Sequence, residues 1–136
     1  MNKKLGKKIQ VFVIYTREAH ALDSGRTNYR STVEQPITIE ERRTVAQEFL
    51  TSMELEVPAL LDDMDDTASK AYASLPDRLY LIGKDGKIAY AGARGPRGFK
   101  VDVLQKAMEA EVKKIDTETK IDTETEAKTE AKAGAQ

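Results

Sequence analysis

The chain has 136 residues, a net charge of −1 from 22 basic and 23 acidic side chains, and no cysteine. That length holds one domain, and the charge balance excludes the polybasic surface of a nucleic-acid or membrane binder. Absence of cysteine excludes disulfides and thiolate metal sites. No apolar run reaches the length of a spanning helix or a signal-peptide core, so a cytoplasmic location is expected, and nothing in the composition calls for a cofactor. Aromatic residues make up only 6 %, which leaves Val, Ile, Leu, Ala and Met to build the core.

Lys3, Lys4, Lys7 and Lys8 form a short basic start that reads as a solvated helix face. Val11–Tyr15 (VFVIY) is a continuous apolar run, as in a parallel strand buried on both faces. It runs into Thr16-Arg17-Glu18-Ala19-His20, at the strand end where open parallel sheets bind ligands. Residues 21–36 have no hydrophobic period and read as a long loop. Thr38–Met53 is predicted as a helix, opened by a capping box of Thr38 and Glu41, with Ile39, Val45, Ala46, Phe49, Leu50 and Met53 on one apolar face.

Val57–Leu61 is predicted as a second parallel strand, placed at an edge by Pro58. The acidic turn Asp62–Asp66 and a short helix from Thr67 to Ala73 follow, with Asp66 or Thr67 as the cap. The acidic turn lacks the glycine and terminal glutamate of a calcium loop, so capping is the better reading. Arg78–Ile82 and Ile88–Ala91 form a hairpin around Lys84-Asp85-Gly86-Lys87. A Gly/Pro loop (GARGPRG, 92–98) precedes a helix over Val101–Val112 with Val101, Leu104, Ala107, Met108 and Val112 inward. The three glycines of that loop do not follow a strand into a helix, which discounts a dinucleotide site. Residues 114–136 repeat KIDTET and continue as EAKTEAK, a low-complexity tail expected to be disordered beyond a domain over 1–113.

Three stretches in order carry a family resemblance. VFVIYTREAHALD, QPITIEERRTVAQEF and the stretch from VPALLDDMDD through SLPDRLYLIGKDGKIAYAGARGPRGF resemble the iodothyronine deiodinase family, especially its bacterial deiodinase-like members. The resemblance implies a thioredoxin-like α/β fold, a mixed sheet with helices on both faces. It implies a selenocysteine or cysteine nucleophile after the first strand, attack of that nucleophile on iodine of an aromatic ring, and regeneration by a thiol reductant. By the same resemblance Glu18 and His20 handle and orient protons beside the nucleophile, Arg94 holds substrate, and Pro76 sits opposite the nucleophile after a cis peptide bond. His20 suits proton transfer near neutral pH, and Arg94 has the guanidinium geometry to clamp a carboxylate or phenolate.

Two departures stand out. The nucleophile is missing, and Pro36 occupies the place of a further histidine of animal members, which argues against a thyroid-hormone substrate. The expected sheet order is Val57–Leu61, Val11–Tyr15, a missing central strand, Arg78–Ile82, Ile88–Ala91. The chain is thus expected to be truncated before the nucleophile helix, with Met1–Lys8 as the end of that helix and an upstream segment encoding strand, Cys or UGA codon, and helix. The resulting reading is a deiodinase-like oxidoreductase, inactive in this form, with a small iodinated aromatic or other redox substrate when intact and self-association through open sheet edges. The alternatives are a non-catalytic thioredoxin-like binding module and a general peroxiredoxin-like thiol redoxin.

Overall fold

The computed structural model describes residue 5, residues 8–28 and residues 32–133, with backbone only for 122 and 125–133. The lysines at 3, 4 and 7, most of the expected terminal helix end, the middle of the 21–36 loop and residues 134–136 lie outside the described residues. The element order is β1 (Val13–Tyr15), α1 (Ile39–Ser52), β2 (Ala59–Leu61), α2 (Thr67–Tyr72), β3 (Tyr80–Ile82), β4 (Ile88–Ala91) and α3 (Val101–Ala133). This mixed α/β order is the one predicted. The elements fall into two compact units, Gln10–Arg78 with Arg94–Gly98, and Met1–Ile9 with Leu79–Ala93 and Phe99–Gln136.

In the first unit β1 and β2 pair in parallel, Val13 opposite Ala59, Ile14 opposite Leu60 and Tyr15 opposite Leu61. Val13 N–H donates to the Pro58 carbonyl at 3.0 Å, and Asp62 N–H to that of Tyr15 at 2.9 Å, extending the ladder at both ends. Alternate strand residues face opposite ways. Tyr15 is buried and its ring meets that of Phe49 on α1 at 6.0 Å. The opposite face carries Phe12, Ile14 and Leu60, which are 45–50 % exposed. The expected burial of β1 on both faces is therefore corrected: α1 covers one face only.

Helix α1 begins as its sequence dictates. Glu41 N–H donates to the Thr38 hydroxyl at 3.2 Å, and the Glu41 carboxylate accepts from Ile37 N–H at 2.8 Å. Ala46 is buried as predicted, but Met53 is 57 % exposed. The side chain sealed most completely on this helix is Arg42, at 2 %.

In the second unit β3 and β4 form an antiparallel hairpin, with Leu81 opposite Tyr90 and an irregularity between Leu81 and Ile82. Gly86 takes φ +76° in the turn, a conformation that favours glycine. Gly83 N–H donates to the Lys87 carbonyl at 2.8 Å and closes the hairpin. Leu81 packs with Leu5, Met108 and Val112 into a small apolar core, joined by Ile9, Tyr90, Leu104 and Ala107. Val101, predicted inward, is 57 % exposed.

Helix α3 runs past the predicted end at Val112 to Ala133. No glycine or proline interrupts this stretch, and its alanines, glutamates and lysines are good helix formers. The predicted helix end at Val112 is corrected accordingly. None of the described helices is long and apolar enough to cross a membrane.

Candidate functional site

The predicted site residues fall in the unit built on β1, β2, α1 and α2. The chain leaves β1 at Tyr15, and residues 19–20 form a turn, so Glu18 and His20 lie beyond the strand end. The Tyr15 hydroxyl donates to Glu18 Oε1. Burial pushes the Glu18 carboxyl above its ordinary value near 4.5, and the neighbouring His20 pulls it partly back down. His20 is exposed, with Nδ1 2.7 Å from the Arg26 carbonyl oxygen. A carbonyl only accepts, so Nδ1 carries the hydrogen, and a neutral ring presents Nε2 as a base. Tyr15, which the sequence assigns to the core, is thus hydrogen-bonded to Glu18, and His20 acts on Glu18 only electrostatically.

Pro76 and Arg94 meet through their neighbours. The Leu75–Pro76 peptide is cis, as the resemblance implies, and so is Gly95–Pro96. Gly95 N–H donates to the Asp77 carbonyl at 3.1 Å. A Cβ on Gly95 would lie 1.9 Å from an Asp77 carboxylate oxygen, so only glycine fits here without displacing that side chain. Gly98 N–H closes the loop onto the Arg94 carbonyl at 3.0 Å. This fixes the backbone of Arg94 while its side chain stays exposed.

Arg94 lines an open cavity of about 330 Å³ together with Arg17, Lys70 and Arg78, around the carboxylate of Asp66. Ser69, Ala73 and Leu75 complete its wall. Glu18, His20 and Arg97 are not among the lining residues. Of the four cations the sequence singles out Arg94 as a site residue, and not Arg17, Lys70 or Arg78. Their signal was position: Arg17 at the C-terminal edge of β1, Arg78 two residues after Pro76.

The wall carrying Asp66 is held by the acidic turn. Asp62, 3 % exposed, accepts from Ala68 N–H at 2.7 Å and Ser69 N–H at 2.8 Å. It is Asp62 that caps α2. Asp66 stands at the N-cap with φ 59° and makes no side-chain capping bond, which corrects the expected cap. Buried Arg42 donates to the carbonyls of Asp62 at 3.2 Å and Asp63 at 2.7 Å, and pairs with Asp66 at 3.3 Å. Arg17 reaches the same carboxylate at 3.7 Å. The acidic turn is therefore a capped and braced loop, and no cluster of metal-ligating side chains occurs among the described residues.

The iodothyronine deiodinase family model matches residues 2–112. The chain belongs to the iodothyronine deiodinase family. It is 32 % identical over 97 residues to a type I iodothyronine deiodinase of Xenopus laevis, covering 71 % of this chain and 38 % of that protein. It is 33 % identical over 107 residues to a thyroxine 5-deiodinase of Ovis aries, covering 78 % of this chain and 36 % of that protein. A thyroxine 5-deiodinase of Rattus norvegicus is 31 % identical over 111 residues, with 78 % and 34 % covered. The chain spans little more than a third of the length of these relatives.

Proposed function

We propose that this chain is the substrate-facing part of a deiodinase-like, thioredoxin-fold oxidoreductase, with residues 1–113 as its domain. The observation that carries this reading is the family match over residues 2–112. In the proposed reaction a selenol or thiol takes iodine from an aromatic carbon, breaking the C–I bond and forming a selenenyl or sulfenyl iodide. The carbon gains a proton. Two equivalents of thiol reductant then release iodide and a proton, leave a disulfide, and restore the nucleophile.

The hydrogen-bonded Tyr15–Glu18 pair, with His20 acting on Glu18 electrostatically, supports the proton-handling half of this chemistry. Desolvation keeps Glu18 more readily protonated than an ordinary carboxyl, and His20 fixes its tautomer through Arg26. Arg94 supports the anion-holding half. The substrate class proposed is a small iodinated aromatic, and no cofactor beyond the thiol reductant is required.

These 136 residues contain no cysteine. The nucleophile, with the strand that carries it, is proposed to come from outside them. The purified 136-residue chain should therefore release no iodide from thyroxine or an iodophenol in excess dithiol, measured against a His20→Ala control. Turnover above that control would mean that the chemistry does not use a chalcogen nucleophile, and the reading would fail.

A further inference from the structure

The four cations that line the cavity are not equally available to a ligand. Lys70 donates to the Asp65 carbonyl and acts on the Asp65 carboxylate. Arg78 is engaged within the protein. Arg17 has one charged neighbour, Asp66, at 3.7 Å, which is beyond hydrogen-bond range. That carboxylate is already hydrogen-bonded to buried Arg42 at 3.3 Å. Asp66 therefore holds Arg17 at the cavity wall by charge without using its N–H groups. The Arg17 side chain, 49 % exposed, keeps its five donors for a ligand.

Arg17 also stands in the right place. It follows the C-terminal end of β1, the end at which parallel sheets take ligands, and it directly precedes Glu18. Arg94 comes to the same cavity from the Gly/Pro loop that Gly98 closes. Ala73 and Leu75 supply the apolar part of the wall. At about 330 Å³ the cavity is of a size for one substituted ring. A guanidinium stacks on an aromatic face as readily as it pairs with an acid group. Two of them beside an apolar patch suit a ring that carries an anionic substituent.

We propose that Arg17 is a second substrate-binding residue, which together with Arg94 selects iodinated rings bearing a carboxylate or phenolate over neutral ones. This rests on the reading of Arg94 as a substrate holder and adds a residue to that site.

The test is NMR titration of the whole 136-residue chain with para-iodobenzoate and its neutral counterpart para-iodobenzamide. A second pair, a phenol with iodine on both sides of the hydroxyl and its methyl ether, is run above the pKa of that phenol. The larger loss on Arg17→Gln identifies the anion held. In each pair the anion should bind the parent more tightly. Arg17→Gln should weaken the preferred anion about tenfold, the range for a lost charge-assisted hydrogen bond, and leave its neutral counterpart unchanged. Arg17→Lys should recover part of the loss, since it restores the charge without the fork of donors. Arg97→Gln removes an exposed arginine of the Arg94 loop that does not line the cavity, and should change nothing. Melting curves of the Arg17 variants should overlay the parent. Weakening by Arg94→Gln but not by Arg17→Gln would overturn the role of Arg17 and leave that of Arg94 standing. Binding indifferent to both substitutions, or no binding of either anion, would overturn both. Equal weakening of anion and neutral ligand by Arg17→Gln would show packing instead of charge recognition, and would also overturn the proposal.

Discussion

The two sheets are held by different physics. The β3–β4 hairpin closes on itself in sequence and is covered by α3 through an apolar cluster of Leu5, Leu81, Met108 and Val112. The β1–β2 pair is joined by a long crossover containing α1, and its connection to α2 rests on a buried charge, Arg42, bonded to two backbone carbonyls and one carboxylate. The apolar cluster stabilises without direction. The arginine network stabilises only in one geometry, because a fork of N–H donors must meet fixed acceptors. The unit that carries the candidate site is the one built on the directional network, which positions Asp66 and Ser69 on the cavity wall.

The sharpest way to break this comparison is Arg42→Ala. It leaves two carbonyls and the Asp66 carboxylate without their buried partner, at a cost of about 3–4 kcal/mol. Chemical denaturation should show that loss, and amide exchange should quicken first across α2. Met108→Ala should cost about 2–3 kcal/mol by leaving a cavity in the apolar cluster. Its amide exchange should quicken first in the hairpin. If both variants loosen the same amides, the two regions are not energetically distinct.

The smallest effect sharpens the site itself. Burial raises the Glu18 carboxyl above its ordinary value near 4.5, against a partial lowering by His20. The folded chain then holds this proton more tightly than the unfolded chain. Its contribution to stability is full below about pH 4.5 and is lost as pH rises through the folded-state value. Glu18→Gln should match the parent at low pH and become the more stable of the two above that window. Solvent screening at this half-buried group keeps the gap below about 1 kcal/mol. Thermal melting from pH 3 to pH 8 checks it, and a gap of the opposite sign would place Glu18 among stabilising charges.

Much of the architecture was legible in local pattern. The Thr38–Glu41 box, the Gly86 turn, the apolar runs at 11–15 and 57–61 and the stripe through Met108 and Val112 each act over a few residues, where spacing and residue type suffice. Boundaries were less legible. The strands are shorter than their apolar runs, since pairing ends where a ladder partner ends. α3 outruns its apolar stripe, because helix propensity does not require burial.

The candidate site shows the same division. Sequence alone marked Glu18, His20, Pro76 and Arg94, through a contiguous motif and a family resemblance that the deiodinase match bears out. It also placed the acidic turn as a capping element, but offered Asp66 or Thr67 where Asp62 does the capping. Which side chains meet was decided by tertiary structure. Arg42 lies on the inward stripe of α1 between Ile39 and Ala46, where an apolar residue is the default, and its partners are 20–24 residues away. Arg17, Lys70, Arg78 and Arg94 share one cavity although they span positions 17 to 94. A periodic pattern records which face of an element is inward. It carries no information about which distant donor will find which acceptor, because that pairing depends on the path of the whole chain.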